Sequence, residues 1–126
     1  MKTIYVDTSV IAGILLENPG HEKYQNSIQN EDRIVSSALL EAELCSVAAR
    51  EKISPKELEK FLIGIELIHT TRSLLKEYRR ILTSGYVKGA DAFHIATALY
   101  LDPELKELKF LTADSRQKEV IKKLKR

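Results

Sequence analysis

Tryptophan is missing from this chain, and cysteine and methionine occur once each. With Cys45 alone, no intrachain disulfide can form. The thiol sits in an apolar helical pattern and is expected to be packed in the interior of a protein kept in a reducing cytoplasm. Five glycines and three prolines are too few for a fibrous or low-complexity chain, and no internal repeat or linker stands out. No stretch approaches the ~18 unbroken apolar residues of a membrane span, and the start lacks the cationic and apolar regions of a signal peptide. A cytoplasmic protein without membrane contact is the expectation. Charge is short too: a formal +2 does not advertise a polyanionic partner. Basic residues do gather at the end, where Lys118 to Arg126 hold five of them and one acid. That cluster reads either as the solvated face of a terminal helix or as a contact for backbone phosphate.

What is present fits an ordinary globular domain. At 126 residues, with 44% hydrophobic and 30% charged side chains, the chain is long enough for one core, and a single domain over residues 1–126 is expected. Short runs of strand formers alternate with helical periodicity. Ile4-Tyr5-Val6, Arg33 to Ser36, Glu66 to Thr70 and Leu108 to Thr112 read as strands. Between them lie apolar residues at helical spacing, among them Leu40, Leu44, Val47 and Ala48; Leu74, Leu75, Tyr78, Ile81 and Leu82; and Ala92, Ile95, Ala96 and Leu99. Thr8 or Ser9 is expected to cap the first helix, Ser37 the third and Thr71 the fifth. Ser54-Pro55-Lys56-Glu57 is a strong start signal for the fourth, and Asp114 to Gln117 for the last. Alternating strands and helices imply parallel pairing and right-handed crossovers. The fold class is therefore α/β, a three-layer α/β/α sandwich around a mainly parallel sheet of four or five strands.

Four acids fall where such a fold would gather them. Asp7 and Asp114 end the first and fourth strands, and Glu43 and Asp91 lie early in helices that start near the same sheet edge, where ligands of open α/β sheets bind. Carboxylates crowded together repel, so they either keep protons at raised pKa or bind a cation. Oxygen ligands without His or Cys select Mg²⁺ or Mn²⁺. One or two such ions can hold a phosphate and activate a water, which is metal-assisted phosphodiester hydrolysis. Each acid taken singly has an ordinary alternative as a helix cap or surface group, strongest for Asp114, whose capping box with Gln117 already gives it a task.

Ile4 to Ile11, Val35 to Leu44, Asp91 to Leu99 and Leu111 to Asp114 together resemble the PIN domain, and most closely its VapC-type toxin ribonucleases. The likeness spans almost the whole chain with its blocks in order. It implies a metal-dependent endoribonuclease with Asp7, Glu43, Asp91 and Asp114 as catalytic and metal-binding acids and Mg²⁺ or Mn²⁺ as cofactor. By that resemblance Asp7 and Asp91 are the main ligands, Glu43 is a ligand or positions water, and Asp114 serves a second or water-mediated ion. Thr8 and Thr112 match hydroxyls placed beside the site. Glu41 competes with Glu43 but lies about 200° away around a helix. Expected partners are an RNA substrate, a small antitoxin protein and a second copy of the chain in a homodimer. The family commonly has a fifth strand near the end, whereas Glu119 to Leu124 reads here as helix.

His94, one turn after Asp91, reads either as a base or, more commonly for such a residue, as a hydrogen-bonded core side chain. Lys88, Arg116 and the terminal cluster are candidates for RNA phosphates, and Tyr86 for stacking a base, with solvation and packing as the ordinary alternatives. Two further function classes compete with the nuclease. One is a PIN fold that only binds RNA or protein, against which four intact acids weigh. The other is a phosphoacceptor receiver-like domain, which fits poorly because Asp7 stands alone and the third strand ends in His69-Thr70-Thr71.

Overall fold

The computed structural model of the protein describes residues 2–125. Of its two interior strands the more apolar is β1 (Thr3–Val6), whose Ile4, Tyr5 and Val6 are fully buried. The other strands are β2 (Arg33–Ser37), β3 (Ile65–Ile68) and β4 (Lys109–Leu111), arranged β3-β2-β1-β4 with every pairing parallel. A strand that is interior to such a sheet has both faces covered, so it reads as a continuous apolar run instead of an alternating one. Side-chain alternation still divides the layers. Ile4 and Val6 join Ile34 and Leu111 on one face, while Tyr5, Val35 and Phe110 occupy the other.

On the first face lie α1 (Thr8–Leu15), α2 (His21–Gln29), α3 (Leu39–Glu51) and α4 (Pro55–Leu62); on the second, α5 (Leu75–Ser84), α6 (Gly89–Leu101) and α7 (Ser115–Lys125). These are the three layers expected from the sequence. Leu40, Leu44, Ile95 and Leu99 are completely buried, each contributing roughly 1.5–3 kcal/mol of apolar burial. Tyr5 stacks on Phe110 at 5.0 Å between ring centroids, which fixes its hydroxyl at depth.

Several local expectations need correction. Cys45 is exposed, not packed. The inward stripe of α3 runs Leu40, Leu44, Ala48, and one further residue turns about 100° out of it. Leu75 and Leu82 are 57% and 79% exposed, not inward. The buried stripe of α5 is Leu74, Glu77 and Ile81, and Leu75 and Leu82 each stand one residue past it. Glu77 tolerates burial because Arg72 clasps it with two bonds of 2.9 and 2.7 Å; those bonds hold its carboxyl below the usual range. The first helix is capped by Asp7 itself, α5 has no side-chain cap, and α3 starts after Ala38, although Ser37 Oγ accepts from Leu39 N at 3.2 Å. Four strands make the sheet among the described residues, and the last element is α7. Arg126, the last of the basic cluster, lies outside the described residues. No helix among the described residues is long and apolar enough to cross a membrane.

Candidate functional site

The order β3-β2-β1-β4 places the topological switch between β1 and β4, and the crevice beyond the carboxyl ends of those strands is where such sheets bind ligands. Asp7 leaves β1 at that point and Thr112 leaves β4. Asp7 is 1% exposed and receives four donors. Ser9 Oγ at 2.7 Å and Val10 N at 3.3 Å reach Oδ1; Thr112 Oγ1 at 2.7 Å and Gln117 Nε2 at 2.8 Å reach Oδ2. A buried carboxylate offers about four lone-pair sites, so protein donors take up the set as it stands, and a cation would reach Asp7 only by displacing one of them. Asp114 is anchored beside it. Its Oδ1 accepts from Gln117 N at 3.1 Å, and its own N donates to Thr112 Oγ1 at 3.0 Å.

Glu43 sits on the flank of the α3 stripe, with 28% of its side chain exposed. Thr8 Oγ1 donates to its Oε1 at 2.6 Å, and His94 Nε2 donates to the same oxygen at 2.9 Å. Burial pushes the Glu43 carboxyl up, but the bonds from His94 and Thr8, with the attraction of the imidazole, outweigh it and hold the group below its usual range. Behind it the network continues inward. His94, 1% exposed, has Nδ1 2.7 Å from the Tyr5 hydroxyl and 3.4 Å from Ser37 Oγ. His94 is thus the hydrogen-bonded core histidine of the two sequence readings, and it also touches a candidate site acid.

Asp91 lies in the first turn of α6, where the helix dipole favours negative charge. Even so its carboxyl is pushed above the usual range. Burial is the first cause, followed by the charges of Asp114 and Asp7 and, more weakly, Glu43, with His94 acting in the opposite direction. The four acids named from the sequence therefore share one electrostatic neighbourhood. They do not form a ready-made chelate: among the described residues no three His, Cys, Asp or Glu side chains are grouped closely enough to hold a metal ion as they stand. The donor set suits a hard divalent cation nonetheless, being carboxylate oxygen throughout with mutual repulsion to relieve. Among the described residues one buried acceptor, Gln117 Oε1, lacks a protein partner; a hydrated cation brings water donors to such an atom.

Tyr5 and the reach of Gln117 to Asp7 were not visible in the sequence, and His94, legible there as a hydrogen-bonded core side chain, was not legible as a partner of Glu43. The only signal was weak: His94 follows Asp91 by one turn, and Gln117 was accounted for as a capping partner. Replacing His94 with Phe tests the link. Glu43 should lose a donor, and its titration, followed by carboxyl-carbon NMR, should move upward. Because its folded pKa is depressed, Glu43 contributes stability present above its unfolded value near ~4.3 and lost as pH falls through the lower folded value. The stability gap between parent and His94→Phe should therefore narrow on acidification through that window, from about 1–3 kcal/mol at neutral pH. An unmoved Glu43 titration would refute the coupling.

Among known proteins, a PIN-domain profile matches residues 4–123. Comparison with curated proteins finds no significant match. PIN domains are generally nucleases acting on RNA or DNA. Matched from Ile4 in β1 to Lys123 in α7, with a parallel α/β sheet to agree, this chain belongs to the PIN-domain family.

Proposed function

We propose that the protein is a metal-dependent endoribonuclease of the VapC type, residues 1–126 acting as one PIN-like domain and serving as the cytoplasmic toxin of a toxin–antitoxin pair. The observation that carries this reading is the placement of Asp91 with Asp114, Asp7 and Glu43 in one neighbourhood, where burial first and then those three charges hold the Asp91 carboxyl above its usual range. Charges held together against their own repulsion suit a cation site better than a set of independent caps.

Asp91, Asp7, Asp114 and Glu43 are the residues that would hold Mg²⁺ or Mn²⁺. When bound, the ion supplies charge for the scissile phosphate and acidity for an attacking water. The chain's own part is positional. Thr112 and Gln117 fix Asp7, and Thr112 also ties down the backbone of Asp114. Thr8 and His94 both bond Oε1 of Glu43, which leaves Oε2 to orient water or take a proton from it. An antitoxin would present a basic side chain to these acids and an apolar helix to a neighbouring groove, and the active form would be a homodimer.

The test is cleavage of single-stranded RNA by the purified chain with Mg²⁺, Mn²⁺ or EDTA. Cleavage with either ion and none in EDTA is expected. Cleavage that persists undiminished in EDTA overturns the metal-dependent reading. RNA binding without cleavage under any of these conditions would instead place the chain with PIN folds that only bind.

A further inference from the structure

Next to Asp114 the surface changes character. A cavity of about 460 Å³ opens between the loop after α5 and the outer face of α7, lined among others by Tyr86, Arg116, Glu119 and Lys123. That volume lies in the range of clefts that accept small ligands, ~300–1,000 Å³. Tyr86, which the sequence left as either a base-stacking ring or a packed aromatic, is 69% exposed. The Arg116 guanidinium lies 5.5 Å from its ring centroid, a cation–π contact. Arg116 and Lys123 are seven residues apart and so share one face of α7.

The loop is held there by Gly85. Its φ of 145° is open only to glycine, and a Cβ would meet Val120 Cγ2 at 3.3 Å. The backbone thus runs directly over α7 and sets Tyr86 against Arg116. In sequence Tyr86 precedes Asp91 by five residues, and Ser115, which also lines the cavity, follows Asp114 directly. Short stretches of chain therefore join the aromatic and cationic groups to two of the acids, Asp91 and Asp114.

From this juxtaposition we infer that Tyr86, Arg116 and Lys123 form a nucleotide-holding platform for single-stranded RNA, an unpaired base stacking on the Tyr86 ring and adjacent phosphates meeting Arg116 and Lys123. The inference rests on the nuclease reading and names how its substrate is held. The acidic crevice repels a polyanion, so the strand must be gripped beside it. Glu119 cancels one of the two cations in the cavity, so charge alone holds the strand weakly and stacking has the larger share. Stacking on one exposed ring requires a base free of its duplex neighbours, which selects single strands. The apolar groove on the other side of Tyr86, lined by Tyr78, Ile81, Leu82 and Val87, would favour a protein contact instead.

The experiment is fluorescence anisotropy of a labelled 12-nucleotide single-stranded RNA with the full chain in EDTA, alongside its duplex, for wild type, Tyr86→Ala, Tyr86→Phe, Arg116→Ala and Lys123→Ala. Tyr86→Ala should weaken binding roughly 10-fold, and Tyr86→Phe should restore most of it because the ring remains. Arg116→Ala and Lys123→Ala should each lower the slope of log affinity against log salt by about 0.7, the value for one single-strand phosphate. The duplex should bind several-fold more weakly than the single strand. The platform is overturned if wild type does not bind the single strand, or if Tyr86→Ala binds it as wild type does. Loss of self-association in Tyr86→Ala, with RNA affinity unchanged, overturns it as well and assigns the face to a protein contact. Thermal melts with Tyr86→Phe as reference separate these results from misfolding. Binding is measured without metal, so a wild type that binds as described but never cleaves with Mg²⁺ or Mn²⁺ defeats the nuclease reading and leaves the platform standing. Metal-dependent cleavage with Tyr86-independent binding does the reverse.

Discussion

Asp91→Asn is expected to fold at least as stably as the parent and to cleave RNA at least about 100-fold more slowly. The loss follows from removing one charged group of a preorganised electrostatic site, an effect on the order of 10²–10³ in rate. The gain follows from the same charge. Burial and the carboxylates of Asp114, Asp7 and Glu43 hold the Asp91 carboxyl above its usual range. A folded state that binds a proton more tightly than the unfolded state loses stability as pH rises from the unfolded toward the folded pKa, and the deficit then stays constant to neutral pH. An uncharged amide escapes that deficit. Since the group is partly exposed, solvent screening keeps the gain small. With roughly 4 °C of melting shift per kcal/mol for a chain of this size, a rise of a few degrees at pH 7 that fades toward pH 4 is the expected signature. Added Mn²⁺ should raise the melting midpoint of the parent, as any ligand specific to the folded state does, and leave Asp91→Asn almost unmoved. A variant that melts lower at neutral pH and cleaves normally would remove Asp91 from the site.

Asp91 also shows how far the sequence could be read. Its neighbourhood with Asp7 and Asp114 was legible, because strand-ending acids in a parallel α/β order converge on one edge whatever the details of packing. The element order and the three layers followed from the same periodicities. Contacts made across the sheet by single polar atoms were not legible. Tyr5 reads as one more apolar strand residue, yet its hydroxyl meets His94 across 89 residues of sequence. Gln117 reads as a capping partner of Asp114, yet its side chain crosses to Asp7, 110 residues earlier. No local spacing encodes either pair. The helix α5 stands where expected, but its inward face was misjudged for a different reason. The sequence offers apolar residues on a stripe wider than the sheet can cover, and the structure buries Glu77 with Arg72 as its partner while leaving Leu75 and Leu82 outside. Hydrophobic periodicity finds a helix more surely than it finds the angle at which the helix sits.

The most severe stability loss is expected at Asp7, and it depends on the replacement. Asp7→Ala leaves four donors without an acceptor: the hydroxyls of Ser9 and Thr112, the Val10 amide and the Gln117 amide. The hydroxyls can turn elsewhere, but the two N–H groups are buried and cannot. The Val10 amide is also the capped donor of α1, and in all the cost is about 3–5 kcal/mol. Against a total of roughly 5–15 kcal/mol that leaves a protein close to unfolding. Asp7→Asn keeps one oxygen for Val10 and Ser9. Its amide can be met by Thr112 Oγ1 and by Gln117 after a flip, which turns the otherwise unpartnered Oε1 of Gln117 toward the new donor. The cost should be about 1 kcal/mol. Urea unfolding of the two variants, and of each combined with Gln117→Leu, checks this: the double-mutant cycle should show coupling between positions 7 and 117 of roughly 1 kcal/mol or more. Equal costs for Ala and Asn would mean that the donors around Asp7 do not depend on it. Only the amide variant can report on chemistry, because inactivity in Asp7→Ala follows from its fold alone, whereas a folded Asp7→Asn that fails to cleave has lost the negative charge and little else.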